Sequence, residues 1–202
     1  MSKIVVISGG LSDPSSTRLL ADRLAVAAHD RIEAAGRPVE VEVIELRGLA
    51  HALADNLLTG FPSGSLADAL ASVGAADAVI AVSPIFSASY SGLFKTFFDV
   101  LEKDSVRGKP VLIAATAGTA RHSLALEHAL RPLFSYLGAV VVPTAVFAAT
   151  EDFGHAGLQE RIERAADELA TLVVGRPVSA PKVERTASNG VAFTPFEQLL
   201  KS

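Results

Sequence analysis

The sequence predicts an α/β fold in which helices cover both faces of a mostly parallel sheet. Short apolar, β-rich runs alternate along the chain with stretches whose apolar residues recur at helical spacing. Residues 77–82 form an almost unbroken apolar run, which is typical of a strand that is buried on both faces. The chain has 202 residues, 50% of them hydrophobic and 20% charged, and is therefore long enough to bury one sizeable core.

The elements follow one another in a regular order. Five strands are predicted, at Ile4–Ser8, Val39–Leu46, Ala78–Ser83, Val111–Ala115 and Val140–Phe147. Five helices are predicted from apolar residues three or four positions apart, at Leu20–Ala28, Leu66–Val73, Leu93–Leu101, Leu126–Leu137 and Leu158–Val173. Because right-handed crossovers join parallel strands, this order favours a five-stranded flavodoxin-like sheet with strand order 2-1-3-4-5.

Two stretches depart from the alternation. The connection 47–63 is longer than the roughly two to six residues usual in such units, and it is either a lid or a plain excursion. Residues 1–175 are expected to form one domain, followed by a linker and a short apolar tail over 176–202. The apolar hook at 193–200 packs either on a neighbouring subunit or on its own domain.

Charge and composition exclude several classes of function. The formal net charge of −4 is spread along the chain, so neither nucleic acid nor an anionic membrane is an expected partner. The sequence has no cysteine, and its five histidines lack metal-ligand spacing, so no metal site is expected. The longest apolar stretch, 138–149, is shorter than the roughly 20 residues that span a bilayer. Because no signal peptide precedes the first strand, a cytoplasmic location is expected.

The segment after the first strand has the composition of a phosphate-binding loop. Backbone amides at a helix start, the helix dipole and nearby hydroxyl groups suit a phosphate monoester, and glycines let the backbone approach it. An ordinary N-cap is the alternative, although one cap needs only one hydroxyl. The segment matches neither the dinucleotide fingerprint nor the P-loop pattern. The candidate residues are Gly9, Gly10, Leu11, Ser12, Ser15, Ser16 and Thr17.

Two further loops are expected at the same edge of the sheet. One turns the third strand into a helix through small residues and can hold a flat ring; its candidate residues are Pro84, Ile85, Phe86 and Ser87. The other follows the fourth strand and presents amides to a planar ligand, through Thr116, Ala117, Gly118 and Thr119. A phosphate cradle, a slot for a ring and an amide-lined edge together describe a site for flavin mononucleotide (FMN).

Over residues 3–174 the chain resembles the NADPH-dependent FMN reductase family of flavodoxin-like proteins. The resemblance rests on three segments, Gly9–Thr17, Ser83–Lys95 and Thr116–Thr119. It implies that hydride passes from NADPH, or NADH, to flavin N5 without a catalytic acid, base or nucleophile from the protein. It also implies that reduced FMN is supplied to a monooxygenase or another acceptor, and that the chain forms a homodimer or homotetramer.

The chain departs from the family pattern in its phosphate loop. Many relatives have Gly-Ser-x-Arg where this chain has residues 9–12, Gly-Gly-Leu-Ser, and Arg18 either replaces the missing arginine or is an exposed helix residue. Phe86 stands where many relatives have tyrosine. Residues 124–132 resemble the helix with a one-residue π-bulge at the tetramer interface of alkanesulfonate-type reductases, with His128 inserted; a plain amphipathic helix is the alternative.

Two other functions share this fold. One is a reductase of quinones or azo compounds that holds FMN tightly, and the other is a flavodoxin-like electron carrier that binds FMN without oxidising NADPH. The segment 116–121 contains no Tyr or Trp for the aromatic pair that sandwiches flavin in flavodoxins, which disfavours the carrier.

Overall fold

Residues 1–175 are described in a computed structural model, in which helices cover both faces of one sheet. The strands are β1 (Ser2–Ser8), β2 (Val39–Glu45), β3 (Ala78–Phe86), β4 (Ser89–Tyr90), β5 (Pro110–Ala117), β6 (Val140–Val141) and β7 (Val146–Ala149). The helices are α1 (Ser16–Ala34), α2 (Ala50–Thr59), α3 (Ser65–Ala75), α4 (Gly92–Asp99), α5 (Arg131–Tyr136) and α6 (Ala156–Gly175). The predicted linker and tail lie outside the described residues.

The strand order confirms the flavodoxin-like class. The parallel strands follow the order β2-β1-β3-β5, and both β6 and β7 pair with β5 on its far side. The sheet has seven strands rather than the predicted five, because the fifth predicted strand is interrupted and β4 is an additional short strand. Pro143 lies at the interruption, where proline has no amide hydrogen for a ladder. Arg131 donates to the carbonyl oxygens of Val142 and Pro143 at 3.1 and 3.0 Å.

Alternate side chains of the central strands enter two cores. Val5 and Ile7 face the core beneath α2 to α5, whereas Ile4 and Val6 face the core beneath α1 and α6. All four are fully buried. Burial on both faces accounts for the unbroken apolar run of β3, in which only Phe86 is exposed. No helix within residues 1–175 is both long enough and apolar enough to cross a bilayer.

The long connection over residues 47–63 contains a helix that the sequence analysis did not predict. A 3₁₀ turn, Leu46–Leu49, leads directly into α2, because Leu46, Leu49 and Leu53 bury their side chains on the sheet. The start of α2 lacks a side-chain cap, which removes the usual signal of a helix N-terminus. Gly60 ends α2 with a φ of 79°, so only the short Gly-rich part of the connection is loop.

The last predicted helix before β6 begins with a π-helical turn. This turn covers Leu126–Leu130 and contains His128, as the family resemblance implied, and α5 follows it directly. Arg131 donates to Glu127 at 2.6 and 2.9 Å across the junction. These hydrogen bonds lower the pKa of Glu127 and raise the pKa of Arg131. The role of this turn in subunit assembly stays a prediction.

Candidate functional site

The three predicted site segments lie side by side at one edge of the sheet. Strands β1, β3 and β5 are neighbours, and all three are parallel. Their register pairs Ser8 with Val82 and Pro84 with Thr116. The segments that follow these strands therefore leave the sheet from its carboxyl edge, which is where open α/β sheets bind ligands.

The first segment packs closely against its surroundings through its two glycines. The amide of Gly9 donates to the carbonyl of Val82 at 2.8 Å. A Cβ on Gly9 would lie 3.2 Å from Phe94, and a Cβ on Gly10 would lie 2.1 Å from the Ser15 hydroxyl. The backbone of this segment therefore approaches both α4 and the start of α1 more closely than a side chain allows.

The hydroxyl groups of the first segment have different roles. Ser15 is the N-cap of α1, and its Oγ accepts from the amide of Arg18 at 3.2 Å, so for this residue the capping alternative holds. Ser12 and Ser16 are exposed. Within residues 1–175, the amides of Leu11, Ser12 and Ser16 have no hydrogen-bond acceptor. The segment therefore offers amides and two hydroxyls to a ligand at the N-terminus of a 19-residue helix.

Arg18 is held by two carboxylates. Its Nε lies 2.8 Å from Asp22 Oδ1, and its Nη1 lies 2.5 Å from Glu45 Oε1. The hydrogen bond to Asp22 and the charges of both carboxylates raise the pKa of Arg18. Arg18 lines a cleft of about 650 Å³ beside the first segment, together with Ser12, Asp13 and other residues. Its positive charge is thus largely compensated before a ligand arrives.

The second segment is a strand end and a tight hairpin rather than the predicted loop. Pro84, Ile85 and Phe86 continue β3, and Ile85 and Phe86 pair antiparallel with β4. Ser87 and Ala88 connect the strands with φ values of 48° and 68°. Positive φ at both central residues is the signature of a type I′ turn. The sequence does not reveal this hairpin, because Ser-Ala lacks the Asn-Gly signal of such turns.

Two buried serines hold the hairpin in place. The Ser83 hydroxyl donates to the carbonyl of Pro84 at 2.9 Å and accepts from the amide of Ser91 at 3.0 Å. The Ser91 hydroxyl in turn caps α4 by accepting from the amide of Phe94 at 3.2 Å. Ser83 and Ser91 are 0% and 1% exposed, whereas Phe86 at the turn is 49% exposed. The hairpin therefore presents an open aromatic surface on a fixed base.

The third segment begins inside β5. Thr116 and Ala117 are the last residues of that strand and pair with β7, so the prediction that both lie in a loop is wrong. Strand pairing with β7 extends β5 because the interrupted fifth strand resumes at Val146. Gly118 and Thr119 do form the expected exposed connection, which leads into a turn at Ala120–His122.

A buried hydrogen bond joins the first and third segments. The hydroxyl oxygens of Thr17 and Thr116 lie 2.8 Å apart, and each residue is 2% exposed. Sequence reasoning assigned the two residues to different ends of the site. Nothing local in the sequence indicates that they meet, because they are 99 positions apart.

The assembled edge has the chemistry of a binding site for a planar, phosphorylated ligand. It combines amides at a helix start, serine hydroxyls, the open ring of Phe86 and the exposed backbone of Gly118 and Thr119. Among residues 1–175 there is no cluster of three or more His, Asp or Glu side chains that could hold a metal ion.

Comparisons with known proteins agree with this geometry. The family model described as NADPH-dependent FMN reductase matches residues 2–154. An FMN reductase (NADPH) of Pseudomonas aeruginosa is 36% identical over 179 residues, which cover 86% of this chain and 94% of that protein. The NADH-dependent FMN reductase SfnF of Pseudomonas putida is 36% identical over 173 residues, covering 83% of this chain and 91% of that protein.

Solved structures share this fold. An oxidoreductase from Corynebacterium diphtheriae is 49% identical, with a TM-score of 0.85 over 88% of this chain and 99% of that one. An archaeal flavodoxin, 17% identical with a TM-score of 0.55 over 86% of this chain and 99% of that one, shares the fold. The sheet order, the three segments at its carboxyl edge and the sequence matches lead to one conclusion: the chain belongs to the NADPH-dependent FMN reductase family.

Proposed function

We propose that FMN binds across the three segments and leaves, once reduced, for a separate monooxygenase. The family of the chain makes it an NAD(P)H-dependent flavin oxidoreductase; the site residues and the destination of the reduced flavin are the proposal. The observation that carries it is the position of the three segments on neighbouring strands, with amide donors at one end and an open aromatic ring at the other.

The first segment fits the phosphate of FMN. Gly9, Gly10, Leu11, Ser12, Ser15, Ser16 and Thr17 form the proposed cradle. The amides of Leu11, Ser12 and Ser16 lack acceptors within the described residues, and a phosphate dianion supplies acceptor oxygens. The positive end of the α1 dipole favours that charge. Ser15 caps the helix through its oxygen, and its hydroxyl proton would still be free to donate to the phosphate.

The second and third segments fit the flavin ring. Pro84, Ile85, Phe86 and Ser87 would form the wall of the slot, with the exposed ring of Phe86 as a flat surface against the flavin. Thr116, Ala117, Gly118 and Thr119 would line the pyrimidine edge, and the exposed Gly118 and Thr119 would offer backbone amides to it. When bound, FMN supplies the ring that accepts hydride from the nicotinamide, and the protein holds and shields that ring.

The exposed turn after the third segment is where the nicotinamide nucleotide would bind. Arg121 and His122 are exposed in the turn that follows Thr119. The Arg121 guanidinium would attract the phosphates of either dinucleotide. The relatives described above are named for NADPH in one case and NADH in the other, so both donors need testing.

We expect the flavin to exchange because the positive charge of Arg18, near the proposed phosphate site, is already paired with carboxylates. The first segment has no arginine, and Asp22 and Glu45 hold the guanidinium of nearby Arg18. A loosely held FMN behaves as a substrate that can carry electrons to another enzyme. A reductase of quinones or azo compounds would instead retain its flavin, so flavin exchange separates the two functions.

Assembly into a homodimer or homotetramer is part of the proposal. Leu58, Phe61 and Tyr136 are 88%, 81% and 90% exposed, and burial of these large side chains in a subunit interface would be favourable. Light scattering coupled to size exclusion would measure the mass of the particle. A mass of one chain at micromolar concentration would contradict assembly.

The decisive experiment measures NADPH and NADH oxidation by protein stripped of flavin. FMN, FAD, riboflavin and a quinone are added in turn as acceptors. Saturation by free FMN, with turnover in air, is the expected result. A quinone reductase would purify with FMN bound and show ping-pong kinetics with the quinone. FMN binding without nicotinamide oxidation would instead indicate an electron carrier.

A further inference from the structure

The hydrogen bond between Thr17 and Thr116 links the two ends of the proposed flavin site. Thr17 is the second residue of α1, where the phosphate is proposed to bind, and Thr116 lies near the end of β5, beside the proposed ring. Both side chains are buried, and the bond is 2.8 Å long. The position of the phosphate loop is therefore tied directly to a central strand of the sheet.

One of the two hydroxyl protons of this pair has no acceptor among the described residues. Each hydroxyl carries one proton, and their mutual hydrogen bond uses only one of the two. Neither hydroxyl makes another hydrogen bond within residues 1–175. The mutual bond gives each oxygen one partner, so only the second proton lacks an acceptor in the described part of the chain, and an oxygen of a bound ligand could supply it. A phosphate oxygen at the start of α1 is such an acceptor.

We propose that Thr116 is a positioning residue for the flavin phosphate, acting through Thr17. Thr116 donates its proton to Thr17, and Thr17 donates its own proton to a phosphate oxygen. The two threonines thereby set the preference for a phosphorylated flavin over an unphosphorylated one. The inference rests on the proposed FMN site and gives Thr116 a role at the end of the flavin opposite to the one its sequence position indicates.

FMN and riboflavin separate this role from a direct contact with the ring. Riboflavin has the same ring but no phosphate, so the Thr17 proton has no acceptor in its complex. Loss of either hydroxyl should therefore weaken FMN binding and leave riboflavin binding nearly unchanged. A Thr116 hydroxyl that touched the ring would contribute equally to both ligands.

The experiment is a double-mutant cycle with T17V, T116V and the double variant. Quenching of flavin fluorescence by flavin-free protein gives the Kd for FMN and for riboflavin, and thermal melting of the same samples reports folding. T17V should raise the Kd for FMN by about tenfold, the size of the charge-assisted hydrogen bond that it removes, and T116V should raise it by a smaller factor, because it removes only the group that orients the Thr17 hydroxyl. The double variant should bind FMN no more weakly than T17V, because Thr116 acts only through Thr17.

Matched variants separate loss of the hydroxyl groups from any loss of protein stability. T17S and T116S retain the hydroxyls and should restore the preference for FMN. T171V removes a surface hydroxyl, which donates to the carbonyl of Asp167 within α6, and should leave both Kd values unchanged.

Three results would overturn the inference. They are equal weakening of FMN and riboflavin by T116V, additive effects in the double variant, and failure of the serine variants to restore the preference. Failure of the proposed function has a different signature, because the unaltered protein would then bind neither FMN nor riboflavin.

Discussion

The hairpin at the end of β3 and the loop at the end of β1 face the same site, but their polar groups are partnered differently. Ser83 and Ser91 are fully buried, and each makes hydrogen bonds inside the hairpin region. In the loop, the amides of Leu11, Ser12 and Ser16 have no acceptors in the described chain. The proposed slot for the ring is therefore complete before a ligand arrives, whereas the proposed phosphate cradle would be completed by the ligand.

This difference suggests separate roles for the two regions: the hairpin is rigid, and the loop would control the exchange of FMN. In the proposed site, a fixed ring slot would keep the flavin oriented for hydride transfer, which depends on the geometry of the two rings. A cradle that gains its partners only on binding makes affinity depend on the phosphate. Variants that damage the hairpin should therefore act on the stability of the protein, and variants in the loop should act mainly on FMN affinity.

The largest effect on stability is expected for Ser83→Ala in the hairpin. The substitution removes the acceptor of the buried Ser91 amide and the donor to the Pro84 carbonyl. Leaving a buried group without a partner costs about 1–3 kcal/mol of unfolding free energy. Urea denaturation of the flavin-free protein measures this loss.

Ser105→Ala is the matched control for that variant. The Ser105 hydroxyl also donates to a carbonyl, that of Glu102, but at the solvent-exposed surface. Its removal should change the unfolding free energy by less than about 0.5 kcal/mol. Equal losses of unfolding free energy in the two serine variants would contradict a larger contribution of the buried hairpin hydrogen bonds to stability.

Gly10→Ala is expected to break the phosphate loop. The new Cβ would lie 2.1 Å from the Ser15 hydroxyl, so Ser15 must rotate and release its cap on α1. Loss of the cap costs about 1 kcal/mol of unfolding free energy. FMN binding should weaken by about tenfold or more, because hydrogen bonds to a charged phosphate contribute about 1.5–3 kcal/mol. Fluorescence titration measures the Kd.

Gly74→Ala is the control for Gly10→Ala, and its expected effect on the unfolding free energy has the opposite sign. Gly74 lies in α3 with nothing within 4 Å of its Cβ position. Alanine favours helix, so this variant should be more stable by up to about 1 kcal/mol and should bind FMN normally. A normal FMN Kd in Gly10→Ala would contradict the assignment of the first segment to the phosphate.

The smallest effect is expected for Ala88→Gly, which relaxes the hairpin turn. Ala88 has a φ of 68°, a left-handed conformation that costs a residue with a Cβ about 1–2 kcal/mol. Glycine adopts it freely, so the unfolding free energy should rise by up to about 1 kcal/mol. Ala54→Gly, on the exposed face of α2, should instead lower it by about 1 kcal/mol. A loss of stability in Ala88→Gly would contradict the strained turn.

The sequence predicts most of the fold because its signals are local. Apolar runs such as that of β3 and the periodic leucines of α1 reflect burial that each segment needs by itself. Helix α2 was missed because its start lacks a cap, and the β3–β4 hairpin because Ser87 and Ala88 are not turn residues. In both places the tertiary packing overrides weak local preferences.

The location of the candidate site was predictable from the sequence, but the hydrogen bonds and ion pairs within it were not. Glycines and hydroxyl residues after β1 and β5 indicate a ligand edge, since chain order alone brings those strand ends together. The bond between Thr17 and Thr116, and the ion pair of Arg18 with Glu45, join residues that are far apart in the sequence. No spacing in the sequence encodes such contacts.

The position of β2 at the border of the sheet has a consequence for solubility during folding. A border strand exposes hydrogen-bonding groups that can recruit a strand from another molecule and begin aggregation. Here β2 reads Val-Glu-Val-Glu-Val-Ile-Glu, with three carboxylates in seven residues. A second copy of the same strand would bring like charges together, which opposes pairing. In the folded chain Glu42 and Glu45 pair with Lys3 and Arg18, so this repulsion would act mainly before those ion pairs form.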